Sequence, residues 1–267
     1  MAQTTEPVHH INTVKDFYDS LSAEYDIMTD FPNRFVRERP FFHMLIDRYQ
    51  IRSALDAGSG TGFHSILLAQ LGVDMTAIDI SPGMISSVRD HAAQRGLDVK
   101  TFVGSFEEIP EIVGRSFDAV FSLGNSLAHA ASNEELLSWL RVFASVLRPG
   151  GILFVQNLNY DRILAQREKV QSTKEAGNKT FDRLYDYEGD RVIFNILTSE
   201  RTRSGIDRRR RAVSLLPLRR SDLLTALESA GFADVQAFGG ISMSAFVPKT
   251  SKDLVVLARL KNGKNTT

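Results

Sequence analysis

Three glycines, Gly58, Gly60 and Gly62, alternate with Ser59 and Thr61 in the stretch "ALDAGSGTGFHS" (54–65), directly after a short apolar run. A chain omits side chains in this way where its backbone must turn sharply or lie against something. An acid, Asp79, closes the next apolar run 21 residues beyond Gly58. A glycine-rich turn that opens a helix presents backbone N–H groups to a ligand. An acid at that remove can accept hydrogen bonds from both hydroxyls of a ribose. A plain tight turn with Asp79 capping the next helix is the alternative, and it requires three features to coincide by accident. The spacing is G-x-G-x-G, one residue short of the dinucleotide fingerprint G-x-G-x-x-G.

Elements that would hold such a site can be read on either side of it. Apolar runs of strand length are Ile51–Asp56, Val73–Asp79, Val99–Val103, Phe117–Leu123 and Gly151–Gln156. Between them, Phe63–Leu71 carries apolar residues on one helical face and stops at Gly72. Ser81-Pro82 predicts a cap and first-turn proline for a helix to about Arg95. Ser132 with Glu135 predicts a capping box for a helix halted by "RPGG". Repeated β-then-α builds a doubly wound, mostly parallel α/β sheet. Residues 173–217 break the rhythm, with strand-like stretches separated by "EGD" and "RSGID", and predict two or three inserted antiparallel strands. Helical spacing returns at Ser221–Ala230, and "DVQAF" and "DLVVLARL" supply two last strands. The ends, through about His10 and from Asn262, are expected to be mobile.

Composition narrows the classes. Lys plus Arg equals Asp plus Glu at 32 each, so no global charge draws the chain to nucleic acid or an anionic membrane. The run "RRRR" (208–211) is expected to alternate along a solvent-facing strand rather than to bind nucleic acid. No cysteine is present, which removes disulfides, thiolate metal sites and Cys nucleophiles. The six histidines show no metal-site spacing with carboxylates, so no metal is expected. "MAQTTEPVHHINTV" has no continuous apolar stretch, and no window nears the roughly 18 apolar residues of a membrane span. A cytoplasmic protein is expected.

The motifs resemble the class I S-adenosylmethionine-dependent methyltransferases, and the resemblance runs over most of the chain. Their first motif ends a strand in the form "LDAGSGTG"; "AIDISPGMI" resembles the second, "FVGSFEEIP" the third, and "SFDAVFSLGNSLAHA" and "VLRPGGILFVQ" the fourth and fifth strands. The resemblance implies a seven-stranded Rossmann-like sheet with S-adenosylmethionine as cofactor. Gly58, Ser59, Gly60 and Gly62 would meet its methionyl end, Asp79 its ribose, and Ile80 and Met84 the adenine side. Ser105 stands where the family often carries an acid, and Ser105 and Phe106 are cofactor-side residues, Phe106 lining the base. A sulfonium methyl is already activated, so the protein need only align acceptor, carbon and sulfur, exclude water and leave the acceptor a lone pair. An acid/base pair is optional for an amine and more useful for a hydroxyl.

Two stretches are more specific. "LGNSLAHA" (123–130) and "NLNYDRIL" (157–164) resemble the glycine and glycine/sarcosine N-methyltransferases, which carry "GNSFAH" and "RNYD" there. The resemblance implies that Leu123, Gly124 and Asn125 border the methyl-transfer point, the Asn125 amide facing an acceptor amine. Ser126 and His129 would close the cofactor site. Asn125 as a helix cap and His129 as a structural histidine remain open. Leu158 and Tyr160 fall on the acceptor side. Leu158 stands where glycine methyltransferases place the arginine that holds the acceptor carboxylate, and leucine offers a carboxylate no partner. Either another arginine such as Arg162 replaces it, or the acceptor is not a simple amino acid; the second is favoured.

"DFYDSLSAEYDIMTDFPNRFVRERPFF" predicts a helical lid, with Tyr18 and Tyr25 resembling tyrosines that touch the cofactor or shape the methyl channel. Tyrosines that merely pack a helix are the alternative. Arg34 or Arg37 would meet the methionine carboxylate, and Arg37 is carried as the candidate. The expected organisation is a lid (1–48), a cofactor core (49–172), an inserted substrate-side cap (173–217) and the rest of the core (218–267). A small-molecule acceptor, most simply an amine, is expected, with Asn125 and Tyr25 nearest the chemistry and a homo-oligomer left open. Against this stand a nucleic-acid methyltransferase, an NAD-binding oxidoreductase and a non-catalytic cofactor binder. The first usually carries Asn/Asp-Pro-Pro-aromatic where "LGNS" stands, and no Tyr-x-x-x-Lys dyad supports a short-chain dehydrogenase.

Overall fold

The computed structural model describes residues 13–261, so the expectation about mobile ends falls outside the described residues. Three helices come first: α1 (Val14–Asp19), α2 (Ser22–Thr29) and α3 (Phe31–Tyr49). The body then alternates β1 (Ser53–Ala57), α4 (Phe63–Gln70), β2 (Asp74–Asp79), α5 (Pro82–Gln94), β3 (Val99–Val103), α6 (Ile109–Val113), β4 (Phe117–Ser122), α7 (Asn133–Ser145), β5 (Leu147–Leu158) and α8 (Tyr160–Gln166). An inserted block follows: β6 (Val170–Ala176), β7 (Lys179–Glu188), β8 (Arg191–Thr202) and β9 (Gly205–Leu215). The chain closes with α9 (Arg220–Ser229), β10 (Phe232–Phe238) and β11 (Asp253–Leu260).

The main sheet has seven strands in the order β10-β11-β5-β4-β1-β2-β3. β3, β2, β1, β4 and β5 run parallel, and β11 enters antiparallel beside β5. The sequence reverses direction across the sheet between β1 and β4, and the C-terminal strand ends there form the crevice in which such folds bind ligands. Successive residues divide the core into two layers, as the two-residue period of a strand requires. Leu55, Ile78, Val120, Val155 and Val256 join one buried cluster with α1, α7, α9 and the inserted block. Ala54, Met75, Phe121, Phe154 and Val255 join the other with α3 and α4. Strands covered on both faces read as apolar runs, which is why the sequence exposes them so plainly.

Local signals act as their chemistry predicts. Ser81 Oγ accepts from the Met84 N–H at 3.1 Å and caps α5. Ser132 Oγ accepts from the Glu135 N–H at 3.3 Å to cap α7, but the Glu135 carboxylate takes the Ala131 N–H, one residue before the cap. The insertion has four strands where two or three are expected, forming a separate antiparallel sheet β6-β7-β8-β9. The solvent-facing reading of 208–211 also needs correction. Strand alternation turns Arg211 inward, where it is 6% exposed and lies 3.5 Å from Glu24 of α2.

Candidate active site

The turn after β1 is built by close packing. Gly58 lies at φ +78°, and a Cβ there would come within 2.7 Å of Ser126 Oγ. Ser126 in turn donates to the Leu123 carbonyl at 3.0 Å, so the turn after β1 and the turn after β4 touch. Gly62, at φ +86°, begins α4, and a Cβ there would strike both Val88 methyls at 2.9 Å. At Gly58 and Gly62, side chains are excluded by both backbone conformation and neighbours.

Asp79 ends β2 beneath this turn and is almost wholly buried. Its carboxylate accepts from the Gly60 N–H at 2.8 Å and the Ser81 N–H at 2.9 Å. Burial pushes the carboxyl up to about 6, against the pull of those two N–H donors. Above it opens a cavity of about 380 Å³, within the roughly 300–1,000 Å³ usual for small ligands.

The cavity gathers Tyr18, Tyr25, Gly58, Ser59, Gly60, Asp79, Ile80, Ser105, Phe106, Leu123, Gly124 and His129 from the expected set. Phe106 stands edge-on to Trp139, ring centroids 4.9 Å apart, and packs against Phe143 behind it. Tyr18 Oη and His129 Nε2 share a hydrogen bond of 2.8 Å. Burial, with the Arg191 charge, pushes His129 down to about 4, so its ring is neutral at ordinary pH. Burial also raises the Tyr18 phenol well above its usual range.

Six expected residues stand elsewhere. Gly62 and Met84 are structural neighbours of the turn and of α5, and Met84 is fully buried. Arg37 is exposed, with its nearest carboxylate Glu38 at 3.8 Å. Arg34, one helical turn earlier, is the arginine that lines the cavity. It donates from Nε to Glu38 at 2.8 Å and lies 3.9 Å over the Phe63 ring. Burial would raise the Glu38 carboxyl, but hydrogen bonds from His64 and Arg34 outweigh it and hold it at about 2. Asn125 sits at φ +79° between two cavity-lining residues, yet its amide is engaged within the protein. Asn125 Nδ2 donates to Tyr160 Oη at 3.0 Å, and Oδ1 accepts the Leu158 N–H at 3.1 Å. These bonds tie the Asn125 amide to the end of β5.

Arg34's neighbours His64 and Phe63 line the cavity too, as do Glu107, Glu135 and Trp139, none of which a sequence motif marks as a ligand-facing residue. His64 and Phe63 directly follow the glycine turn, which was the available signal. Glu107 and Trp139 meet only through folding, the Trp139 Nε1–H donating to the Glu107 carboxylate.

The N-terminal helices are fastened over this cavity. Asp19 accepts from Ser81 Oγ and from the Gly83 N–H at 3.1 Å, joining α1 to α5. His91 Nε2 lies 3.0 Å from Asp26 of α2. On the other side Glu24 accepts from Lys179 at 2.6 Å, joining α2 to β7.

Residues 54–151, which contain the glycine turn, Asp79 and Asn125, match the family described as "Methyltransferase domain". The glycine/sarcosine N-methyltransferase of Aphanothece halophytica is 28% identical over 232 residues, 84% of this chain and 82% of that one. The enzyme of the same name from Parasynechococcus marenigrum is 31% identical over 160 residues, 60% of this chain and 57% of that one. The chain carries a methyltransferase domain and is similar over most of its length to N-methyltransferases. Two solved structures share its fold at low identity. An S-adenosylmethionine-dependent methyltransferase from Clostridium acetobutylicum superposes with TM-score 0.78 at 15% identity, covering 91% of this chain and 99% of that one. A sugar N-methyltransferase from Streptoalloteichus sp. gives 0.69 at 21% identity, covering 98% and 99%.

The residues of this methyltransferase fit its cofactor. Asp79 offers a buried acceptor pair to two hydroxyls, and the glycine turn leaves room for a chain to lie against it. Ser59 Oγ is buried at the cavity with no partner among the described residues, as a group awaiting a ligand would be. Among the described residues no helix is long and apolar enough to cross a membrane.

Proposed function

We propose that this methyltransferase transfers the methyl group to the nitrogen of a small-molecule amine. The sulfonium of S-adenosylmethionine supplies an activated methyl group and a good leaving group when bound. In this reading Asp79 holds the ribose, the turn at Gly58–Gly60 the methionyl end, and Phe106 with Ile80 the base. Arg34 replaces Arg37 as the residue facing the methionine carboxylate. Asn125 is a positioning residue, holding Gly124 and the end of β5 through Leu158 and Tyr160. Tyr18 and Tyr25 enclose the transfer point and exclude water.

The observation that carries the amine is the state of His129. It lines the same wall as Leu123 and Gly124, its Nε2 is taken by Tyr18 Oη at 2.8 Å, and burial lowers its affinity for a proton, so it is poorly suited to take one from an acceptor hydroxyl. An amine brings its own lone pair once deprotonated and asks less of the wall. The glycine/sarcosine N-methyltransferases support the same choice by similarity over most of the chain.

The test is release of S-adenosylhomocysteine from purified protein and S-adenosylmethionine, with glycine, sarcosine, ethanolamine, catechols and no acceptor. Release that depends on an amine is expected. Release only with catechols would replace nitrogen by oxygen as the acceptor.

A further inference from the structure

Behind the glycine turn, His91 of α5 has an acceptor against each of its ring nitrogens. Nδ1 lies 2.8 Å from the Thr61 carbonyl, in the turn itself, and Nε2 lies 3.0 Å from the Asp26 carboxylate of α2. One residue back along α2 is Tyr25, whose ring stands over Gly60: a Cβ there would meet its Cε1 at 3.7 Å. Tyr25, Gly60, Thr61, His91 and Asp26 thus close a ring that ties a wall of the cavity to the cavity's own turn.

A carbonyl and a carboxylate only accept hydrogen bonds, and a neutral imidazole has a single N–H to give. With one proton, either the turn or α2 loses its bond, and a ring lone pair faces an oxygen lone pair there. Only the imidazolium makes both bonds. Its surroundings suit a cation, since Phe31 of α3 lays its ring 4.4 Å from the imidazole. The charged groups acting on it are Asp26 from α2 and Arg95, one turn further along α5. The hydrogen bond from Asp26 raises the hold on the proton, against burial and the Arg95 charge. Arg95 is itself turned to the backbone, donating from Nη1 to the His91 carbonyl at 3.2 Å.

We propose that His91, as the imidazolium, is a positioning residue that clamps Tyr25 and α2 onto the glycine turn, so that a bound cofactor leaves slowly while the ring is charged and faster once it is neutral. The proposal rests on the reading of this cavity as the cofactor site with Tyr25 as one of its walls. Asp26 stabilises the proton only while α2 is seated, so seating takes up a proton and is favoured at low pH. That preference fades as pH rises through the raised value of the seated ring.

The experiment uses the full chain. Proton NMR of the histidine rings, assigned with His91→Phe, follows the titration of His91 with saturating S-adenosylhomocysteine. His91 is expected to titrate above its ordinary 6.5 in the wild type, and lower in Asp26→Asn. Stopped-flow displacement then reads the release of S-adenosylhomocysteine between about pH 6.5 and about pH 8.5. Asp79 and the ligand titrate in His91→Phe as well, so that variant is the baseline. It should release the ligand at least about fivefold faster than wild type at the acid end, with the ratio shrinking toward one at the alkaline end. Asp26→Asn sets an N–H donor opposite Nε2, so a neutral ring keeps both bonds. Its release should stay slow and lose the wild-type rise with pH, which a merely structural histidine would not produce. Should His91→Phe fail to fold, the Asp26→Asn profile against wild type decides alone. A wild-type His91 titrating at or below 6.5, a ratio that does not vary with pH, or an Asp26→Asn profile as steep as wild type would overturn the proposal. Failure of S-adenosylhomocysteine to bind any of these proteins would strike the cofactor reading and this proposal with it, whereas binding with a constant ratio strikes this proposal alone.

Discussion

Tyr18 and His129, 111 residues apart in sequence, meet at 2.8 Å and join the first helix to the turn that follows β4. The bond gives His129 Nε2 its partner, while Nδ1 has none among the described residues. Tyr18→Phe keeps the ring packing and leaves that nitrogen buried and unpaired. We expect urea unfolding to show a loss of about 1–3 kcal/mol. An unchanged midpoint would mean the bond adds nothing to stability.

Asp79 and His129 oppose each other in acid. His129 is near 4 folded and about 6.5 unfolded, so between those values the unfolded chain binds more protons and acidification destabilises. Asp79 is near 6 folded and about 3.9 unfolded, so in nearly the same window the folded chain binds more protons and acidification stabilises. The two slopes should largely cancel. Asp79→Asn removes one side of the balance. Its stability relative to wild type should fall by about 2 kcal/mol between pH 6.5 and 4.5. A difference that does not vary with pH would contradict the burial of Asp79.

Cofactor affinity carries the same group with a different sign. Ribose hydroxyls donate to a carboxylate, so S-adenosylmethionine should bind more weakly as pH falls through about 6. Asp79→Asn should cost about 1.5–3 kcal/mol of affinity at pH 8. The gap should narrow at pH 5, where the wild-type group is itself protonated. Calorimetric titration at the two pH values reads both, and equal affinities for wild type and variant at pH 8 would remove Asp79 from the ribose site.

Two glycines four residues apart should fail differently. Gly62→Ala drives a methyl into Val88, away from the cavity, and should lower stability by about 1–3 kcal/mol with cofactor affinity kept. Val88→Ala should return part of that loss. Gly58→Ala presses on Ser126 at the cavity wall and should weaken cofactor binding as well. Equal effects of the two changes on affinity would show that the turn acts as one rigid unit.

Much of this was legible because buried parallel strands and capped helices write themselves locally. β3 falls at Val99–Val103 and α5 starts behind Ser81 as their residues predict. β6 escaped notice because "VQSTKEA" is a largely exposed edge without apolar alternation. Arg34 and Arg37 differ by three residues on one helix, and only the docking of α3 decides which of them reaches the cavity. Asn125 carries a familiar motif, but its amide bonds depend on where β5 ends and Tyr160 begins. Arg183 lies in a stretch readable as strand, yet nothing local says that its face meets the N-terminal helices at Met28.

The double fastening of α1 and α2, to α5 through Asp19 and to β7 through Glu24, has a kinetic consequence. A ligand of the cavity has to pass helices held at both ends, so loosening either the Asp19 or the Glu24 contact should quicken its entry and its release alike.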